Sequence, residues 1–273
     1  AYGETLEEIF PVTRSVEAKE VKTYRGDYKT RTLETKDRPR VLIPVVSGSH
    51  GEYDLKLAFE RAGAEVEIYV IKTFTKEIFD KSLEEFAEKL SNSQILALPD
   101  GKIMGNEPEA GGKLWRLIFN YEPVKEATLR HIYDENRLVL GIGAGLQALI
   151  KLGLIECGKI KDIDDLREDS LFVTNNKNSK FISQIVDVEL KSNLSPWLSL
   201  MEPGESFTTS ISTKEGRIIA GNMERLIEKG QVALVYKENL TGSDYAIDGL
   251  TSPCGKVFGC LSSIERISED IYR

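Results

Sequence analysis

The stretch Arg137–Ile155, RLVLGIGAGLQALIKLGLI, runs from an apolar strand pattern through a glycine-rich turn into an apolar-striped helix. Gly141, Ile142, Gly143, Ala144 and Gly145 make the turn. A sharp strand-to-helix turn strains its apex residue, exposes that side chain and aims backbone N–H groups at one point. Gly141 and Gly145 bracket the apex as G-x-G-x-G, so Gly143 stands where a nucleophile would. The same glycines suit a phosphate loop or a plain turn, but the dinucleotide spacing G-x-G-x-x-G fails because position 146 is Leu.

Upstream of this stretch the chain alternates strand and helix patterns. RVLIPVV, from Arg40, is a short continuous apolar run, followed by the turn SGSHGE and by Leu55, Ala58, Phe59 and Ala62 at helical spacing. Gly63 ends that helix, and AEVEIYVI then alternates Val66, Ile68 and Val70 with Glu65, Glu67 and Tyr69, the period of a half-buried strand. SLEEFAEKL repeats a helical stripe, SQILALP reads as another buried strand, and one long helical region is expected from about Gly112 to Asn136. Such alternation predicts an α/β fold with a parallel sheet covered on both faces and ligands at the carboxyl ends of its strands. Beyond Leu171 the pattern is β-rich, with strands in QIVDVELKS, SFTTSISTKEGRIIA and GQVALVYKEN and a hairpin through SPCG.

The 273 residues are 41% apolar, enough for one large core or two modest ones. No apolar run reaches the roughly 18 residues of a membrane span, and the polar start AYGETLEEIF lacks a signal-peptide core, so a cytoplasmic protein without a membrane partner is expected. A net charge of −8 with scattered Lys and Arg argues against nucleic acid and favours small-molecule or protein partners. Cys157, Cys254 and Cys260 have neither zinc-site spacing nor a disulfide framework, and no metal or cofactor is expected. Residues 1–38 read as a polar linker with a small docking cluster of Leu6, Ile9 and Phe10, and residues 39–273 as one domain. His50 sits in the first loop at the strand ends, within reach of a pocket there but read in the first place as a solvated loop histidine, and His131, among charged residues of a helix, is expected to be exposed.

Six separated stretches together resemble the glutaminase domain of phosphoribosylformylglycinamidine synthase, a class I glutamine amidotransferase of purine synthesis. They are VSGSHGEYDLKLAFERAGAEVE, GNEPEAGGK (Gly105–Lys113), LGIGAGLQALIKLGLI, NLSPWL (Asn193–Leu198), STKEGRI, and GSDYAIDGLTSPCGKVFGCLSSIER. The resemblance implies a class I glutamine amidotransferase-like, flavodoxin-like sheet flanked by helices with a β-rich C-terminal part. In that family a Cys at the elbow attacks the glutamine amide, a His activates it, a Glu two residues further on orients the imidazole, and the ammonia passes to a synthetase domain. By resemblance the Cys falls on Gly143 and the His on Ser263, while the Glu is kept as Glu265. The oxyanion turn P-G-G falls on Pro99, Asp100 and Gly101, and the residue after the nucleophile is Ala144. Glu215 keeps its place in S-T-K-E-G, while a second family His falls on Thr213.

Acyl transfer through a thioester needs a thiolate and a base within hydrogen-bond reach, and Gly143 and Ser263 supply neither. No other cysteine stands at an elbow, since Cys260 is on a strand, Cys157 follows a helix and Cys254 lies in a hairpin turn. The leading expectation is a glutaminase-like domain without catalysis, kept for contact with a synthetase domain in cis or in trans. The polar lead-in resembles the approach to this domain in long single-chain synthases, which implies a C-terminal piece of a longer chain. Two other readings stay open. One is a small-metabolite sensor binding glutamine or a related or cationic ligand near Asp100, Glu215 and Glu265; the other is an active amidotransferase with an unrecognised nucleophile.

Overall fold

In a computed structural model of the protein, residues 20–26, 38–103, 112–161 and 170–268 are described. Their centre is a nine-stranded mixed sheet. Its first half is built from β1 (Arg40–Val45), β2 (Glu65–Val70), β3 (Ile95–Leu98) and β4 (Leu138–Ile142), in the order β2-β1-β3-β4. β11 (Val257–Cys260) lies beside β4, and all four of these pairings are parallel. The sheet continues antiparallel through β10 (Ile247–Thr251), β9 (Val232–Tyr236), β6 (Ile182–Leu190) and β7 (Ser206–Thr213). A separate pair joins β5 (Phe172–Thr174) to β8 (Arg217–Ile219). This is the expected α/β class, mostly parallel around the turn that opened the sequence and strand-rich towards the C-terminal end.

The continuous apolar runs follow from burial on both faces. Within β1, Leu42 joins one core with Phe86, Trp115, Phe119 and Leu146, while Val41 and Ile43 join the other with Leu55, Leu140 and Phe258. The helices α1 (Glu52–Arg61), α2 (Lys76–Ser91), α3 (Lys113–Phe119), α4 (Glu122–Tyr133), α5 (Ala144–Lys151), α6 (Leu154–Cys157) and α7 (Met223–Glu228) complete these layers. α2 starts where Thr75 Oγ1 accepts the Ile78 N–H at 3.3 Å, satisfying one orphan donor.

Three local expectations need correction. The helical region after Gly112 is two helices, because Pro123 fits only a first helical turn and so begins α4 afresh after Asn120. The alternation in β2 breaks at Val70, which is exposed, since β2 is an edge strand with α1 covering only part of its face. His131 is buried, with a ring nitrogen 3.1 Å from Leu138 O; loss of solvent holds it down to about 4, so it is neutral in the core.

The proposed docking cluster Leu6, Ile9 and Phe10 lies outside the described residues, as do Gly105–Gly111 of GNEPEAGGK. Part of the lead-in is packed, however. Val21 is buried, Tyr24 bridges to Ser192 and donates its N–H to Lys191 O at 2.8 Å, and Gly26 N–H reaches Asn193 Oδ1 at 3.0 Å. The hairpin through SPCG forms as read, joining β10 to β11.

Because β1, β3, β4 and β11 run the same way, their carboxyl ends gather the SGSHGE loop, Pro99–Gly101, Gly143 and Leu261–Ser263 at one edge of the sheet. The order β2-β1-β3-β4 reverses between β1 and β3, the switch point where open α/β sheets leave a crevice. Close backbone contact fixes the elbow there. A Cβ at Gly145 would lie 2.2 Å from Leu98 O, so α5 can cross the end of β3 only with glycine at this position. Gly145→Ala is therefore expected to lower stability by about 1–3 kcal/mol in urea unfolding, the range for forced overpacking, with an unchanged midpoint counting against this contact.

Candidate functional site

The elbow is formed as the sequence implied. Gly143 has φ 52° and ψ −112°, sparsely populated for residues with a side chain. Its N–H continues the ladder to Cys260 O at 2.8 Å, and its carbonyl accepts the Gln147 N–H at 3.1 Å, starting α5. Strand and helix are thus both hydrogen-bonded through one residue.

Asp100 meets this apex from the end of β3. Its Oδ1 accepts the Ala144 N–H at 2.8 Å, and its own carbonyl accepts the His50 N–H at 2.9 Å. A Cβ built on Gly143 would stand 2.1 Å from Asp100 Oδ1 and 2.3 Å from its Cγ. The carboxylate therefore fills the volume from which any side chain at position 143 would project. The same carboxylate takes the backbone donor that points at the apex.

Gly101 and Gly48 make room for this arrangement. Ser49 and Gly101 bridge the two loops, a Cβ at Gly101 would lie 2.6 Å from Gly48 O, and one at Gly48 would lie 2.3 Å from Lys102 O. The backbone pairing brings His50 Nε2 to 3.9 Å from Asp100 Oδ2, with the His50 side chain 52% exposed and Asp100 17% exposed. His50 is held at this edge by its backbone while its side chain is 52% exposed, the solvated loop histidine favoured by its place in the sequence.

Ser263 is buried and tied to β7: its N–H donates to Ser210 O at 2.8 Å and its carbonyl accepts Thr209 Oγ1 at 3.1 Å. Glu265 lies in the short 3-10 turn that follows, its side chain only 3% exposed. Burial is the largest influence on its carboxyl, and with like charge from Asp100 and Asp54 it pushes Glu265 up to about 7 against the hydrogen bond from its own backbone N–H and the pull of Arg266. Oε2 of Glu265 has no hydrogen-bond partner. Arg266, 3.6 Å from Glu265 Oε1, is drawn instead to Asp54 Oδ2 at 3.1 Å. The sequence offered no signal for this competition, because Asp54 and Arg266 are 212 positions apart.

Glu215 is placed differently from the other candidates. Its carbonyl accepts Gln147 Nε2 at 2.8 Å, a turn along α5 from the elbow, while the neighbouring Gly216 N–H goes to Asn176 Oδ1 at 2.9 Å. Ser243 Oγ donates to Gly216 O at 3.0 Å and accepts the Ile218 N–H at 3.0 Å. STKEGRI and GSDY thus pack against each other. Cys260 is fully buried, its thiol donating to Ser262 O at 3.2 Å and pushed well above its ordinary range by burial. Cys157 and Cys254 are exposed but lie at the end of α6 and in the β10–β11 turn. Among the described residues no group of three or more His, Cys, Asp or Glu side chains is placed to hold a metal ion, and no helix is long and apolar enough to cross a membrane.

Residues 38–273 match the family of the CobB/CobQ-like glutamine amidotransferase domain. The chain belongs to this glutamine amidotransferase family. It is 26% identical over 234 residues to the phosphoribosylformylglycinamidine synthase subunit PurQ of Thermotoga maritima, covering 86% of this chain and 91% of the relative. To the corresponding PurQ subunit of Methanothermobacter thermautotrophicus it is 28% identical over 236 residues, covering 85% and 91%. A solved structure of PurLQS from Thermotoga maritima contains a chain of the same fold, with a TM-score of 0.64, 24% identity and coverage of 86% and 92%. A glutaminase-like domain of the PurQ kind is therefore the family setting for the apex.

The buried carboxyl makes a solution prediction for this amidotransferase-like domain. An acid raised from 4.5 to about 7 on folding binds more protons in the native state than in the unfolded one across that window. Its contribution to stability is full below about 4.5 and is lost as pH rises through about 7, a change of about 3 kcal/mol. His131, held down to about 4, acts in the opposite sense below about 6.5, so the Glu265 contribution is read by difference. Glu265→Gln is expected to remove the fall in stability between pH 5 and pH 8 relative to the parent in urea titrations. Parallel pH profiles for the two proteins would contradict it.

Proposed function

We propose that this chain is a glutaminase-like domain of a phosphoribosylformylglycinamidine synthase that no longer hydrolyses glutamine and acts through contact with a synthetase domain. The observation that carries the proposal is the Asp100 carboxylate seated in the volume beside Gly143 and bonded to the Ala144 N–H. Acyl transfer from glutamine needs a nucleophile at the elbow, a base to deprotonate it and donors free for the oxygen that becomes negative. The apex has no side chain, Ser263 has no imidazole, and the Ala144 donor is held by an anion. Glu265 has no imidazole to orient. Removing nucleophile and base together costs many orders of magnitude in known triads, and what remains of such rates comes from the oxyanion donors, one of which is occupied here. Cys260, protonated and buried, does not replace the missing thiolate.

The domain in this reading begins near Pro39, and the packing of Val21 and Tyr24 supports a lead-in that docks on it. The PurQ relatives are named as subunits, which supports a synthetase partner, in cis or in trans, and a cytoplasmic setting in purine biosynthesis. The domain then serves as a fixed surface for a synthetase that draws nitrogen from ammonia.

The decisive experiment supplies the domain with its synthetase and compares formylglycinamidine ribonucleotide formation with glutamine and with ammonium as nitrogen donor. Turnover with ammonium alone is expected, and turnover with glutamine would overturn the proposal. Gly143→Cys with Ser263→His is expected to release no ammonia from glutamine, because the new Cβ collides with Asp100. Adding Asp100→Gly removes the collision and frees the Ala144 N–H, so any recovered glutaminase activity is expected only in that triple variant. Ammonia release by the double variant would show that the carboxylate does not block the apex.

A further inference from the structure

The crevice at the strand ends collects more carboxylates than its fixed cation can neutralise. Glu52 and Asp54 come from the first turn of α1, Asp100 from the end of β3 and Glu265 from the turn after β11. Against them stands Arg266, 3.1 Å from Asp54 and 3.6 Å from Glu265. Asp100 is satisfied on one side by the Ala144 N–H. Glu265 is not: its side chain is 3% exposed and Oε2 has no donor. Glu52 Oε2 is likewise buried without a partner. Beside them the wall is open. A Cβ built on Gly51 would meet, beyond its chain neighbours, only Glu265 Oε1, at 3.9 Å.

We propose that this crevice binds a primary organic ammonium group between Glu265 and Asp100, with Glu265 as its principal partner. Glu265 has its own backbone N–H and Arg266 beside it, but Oε2 has no donor, and a cation carrying N–H groups supplies the further charge and the hydrogen bond that this oxygen lacks. The ligand class follows from the spacing of the acids. Among the described residues no three acidic, His or Cys side chains converge closely enough for a metal ion. An ammonium head, with three N–H donors fanned apart, bridges carboxylates that do not share a single coordination centre.

Binding is coupled to a proton. In the free protein Glu265 titrates at about 7, and an ammonium group competes with that proton for the same carboxylate. The groups acting on it are Asp54 on α1, Asp100 on the loop after β3, Cys260 on β11 and Arg266 beside it, with His50, on the loop after β1, 3.9 Å from Asp100. β7, which also packs on this turn, carries no charged side chain. The inference goes beyond the scaffold reading: its test uses neither glutamine hydrolysis nor synthetase turnover, so failure of one leaves the other standing.

The test titrates the full chain with methylammonium chloride and, at equal concentration, tetramethylammonium chloride, following the Gly51, Gly101 and Ala144 amides by nitrogen-15 NMR. Saturable shifts are expected with methylammonium and not with tetramethylammonium, which has the charge but no N–H. The affinity is expected to rise about tenfold from pH 6 to pH 8 as Glu265 loses its proton. Glu265→Gln is expected to weaken binding at least tenfold and to abolish that pH dependence, and Asp100→Asn to weaken it less. Equal shifts with both salts would overturn the proposal without recourse to any variant. So would undiminished binding by Glu265→Gln, or a pH dependence that survives in it and so belongs to His50 or another acid.

Discussion

The hydrogen bond from the Ala144 N–H to the Asp100 carboxylate joins the ends of β3 and β4 at the elbow. Gly143 is held in its unusual conformation by a strand bond to Cys260 and a helix bond from Gln147. Gly145 lets α5 cross Leu98 at contact distance. With backbone fixed on three sides, the only variable left at the apex is which atoms fill the space before it. In this chain they are carboxylate atoms from position 100, and residues 100 and 143 are thereby coupled. A side chain at 143 would require the Asp100 side chain to shift, so the two positions are read together.

Much of the architecture was legible in the sequence because it rests on burial. RVLIPVV, SQILALP and RLVLGI are continuously apolar since helices cover both faces of the strands they form, and that pattern alone fixes a parallel sheet with its loops at one edge. Where burial is partial the pattern misleads. Val70 alternates like a core residue yet ends an uncovered edge strand, and His131 sits among charges yet turns inward to Leu138 O. At the site, motif order located Gly143, Asp100 and Glu265, and the chemistry of a negative charge near an oxyanion donor was readable from residue types. That Asp100 enters the nucleophile's own volume was not, because it depends on the dihedrals of Gly143 and on a loop bridge through Ser49 and Gly101. The pairing of Arg266 with Asp54 was hidden too, since side-chain competition across 212 positions leaves no periodicity to read.

The persistence of family-like motifs around a changed apex has a physical explanation in what those motifs do. Ser243 ties Gly216 and Ile218 together, Gln147 and Gln231 reach buried carbonyls, and Ser195 Oγ donates to Gly255 O at 2.7 Å where the hairpin turns. Trp197 Nε1 donates to Val139 O at 3.2 Å beneath the elbow strand. Losing any of them leaves a buried polar group unpaired, a cost of about 1–3 kcal/mol against a whole-domain stability of about 5–15. Gly143 contributes to the elbow through its backbone hydrogen bonds and needs no side chain to do so.

Asp100 and Glu265 show how differently two acids in one crevice can be accommodated. Asp100 is matched by a backbone donor, the Ala144 N–H, at the positive end of α5. Glu265, nearly enclosed and without a donor on Oε2, has its own backbone N–H and an Arg266 shared with Asp54 to set against burial, and is raised to about 7, so near neutral pH it exchanges between charged and neutral forms. The first arrangement closes the elbow; the second leaves an ionisable group beside it whose charge responds to pH and to any cation that enters. The two carboxylates therefore differ in what the surrounding backbone offers them. One is bonded to the backbone donor at the elbow, and the other keeps one buried oxygen without a hydrogen-bond partner.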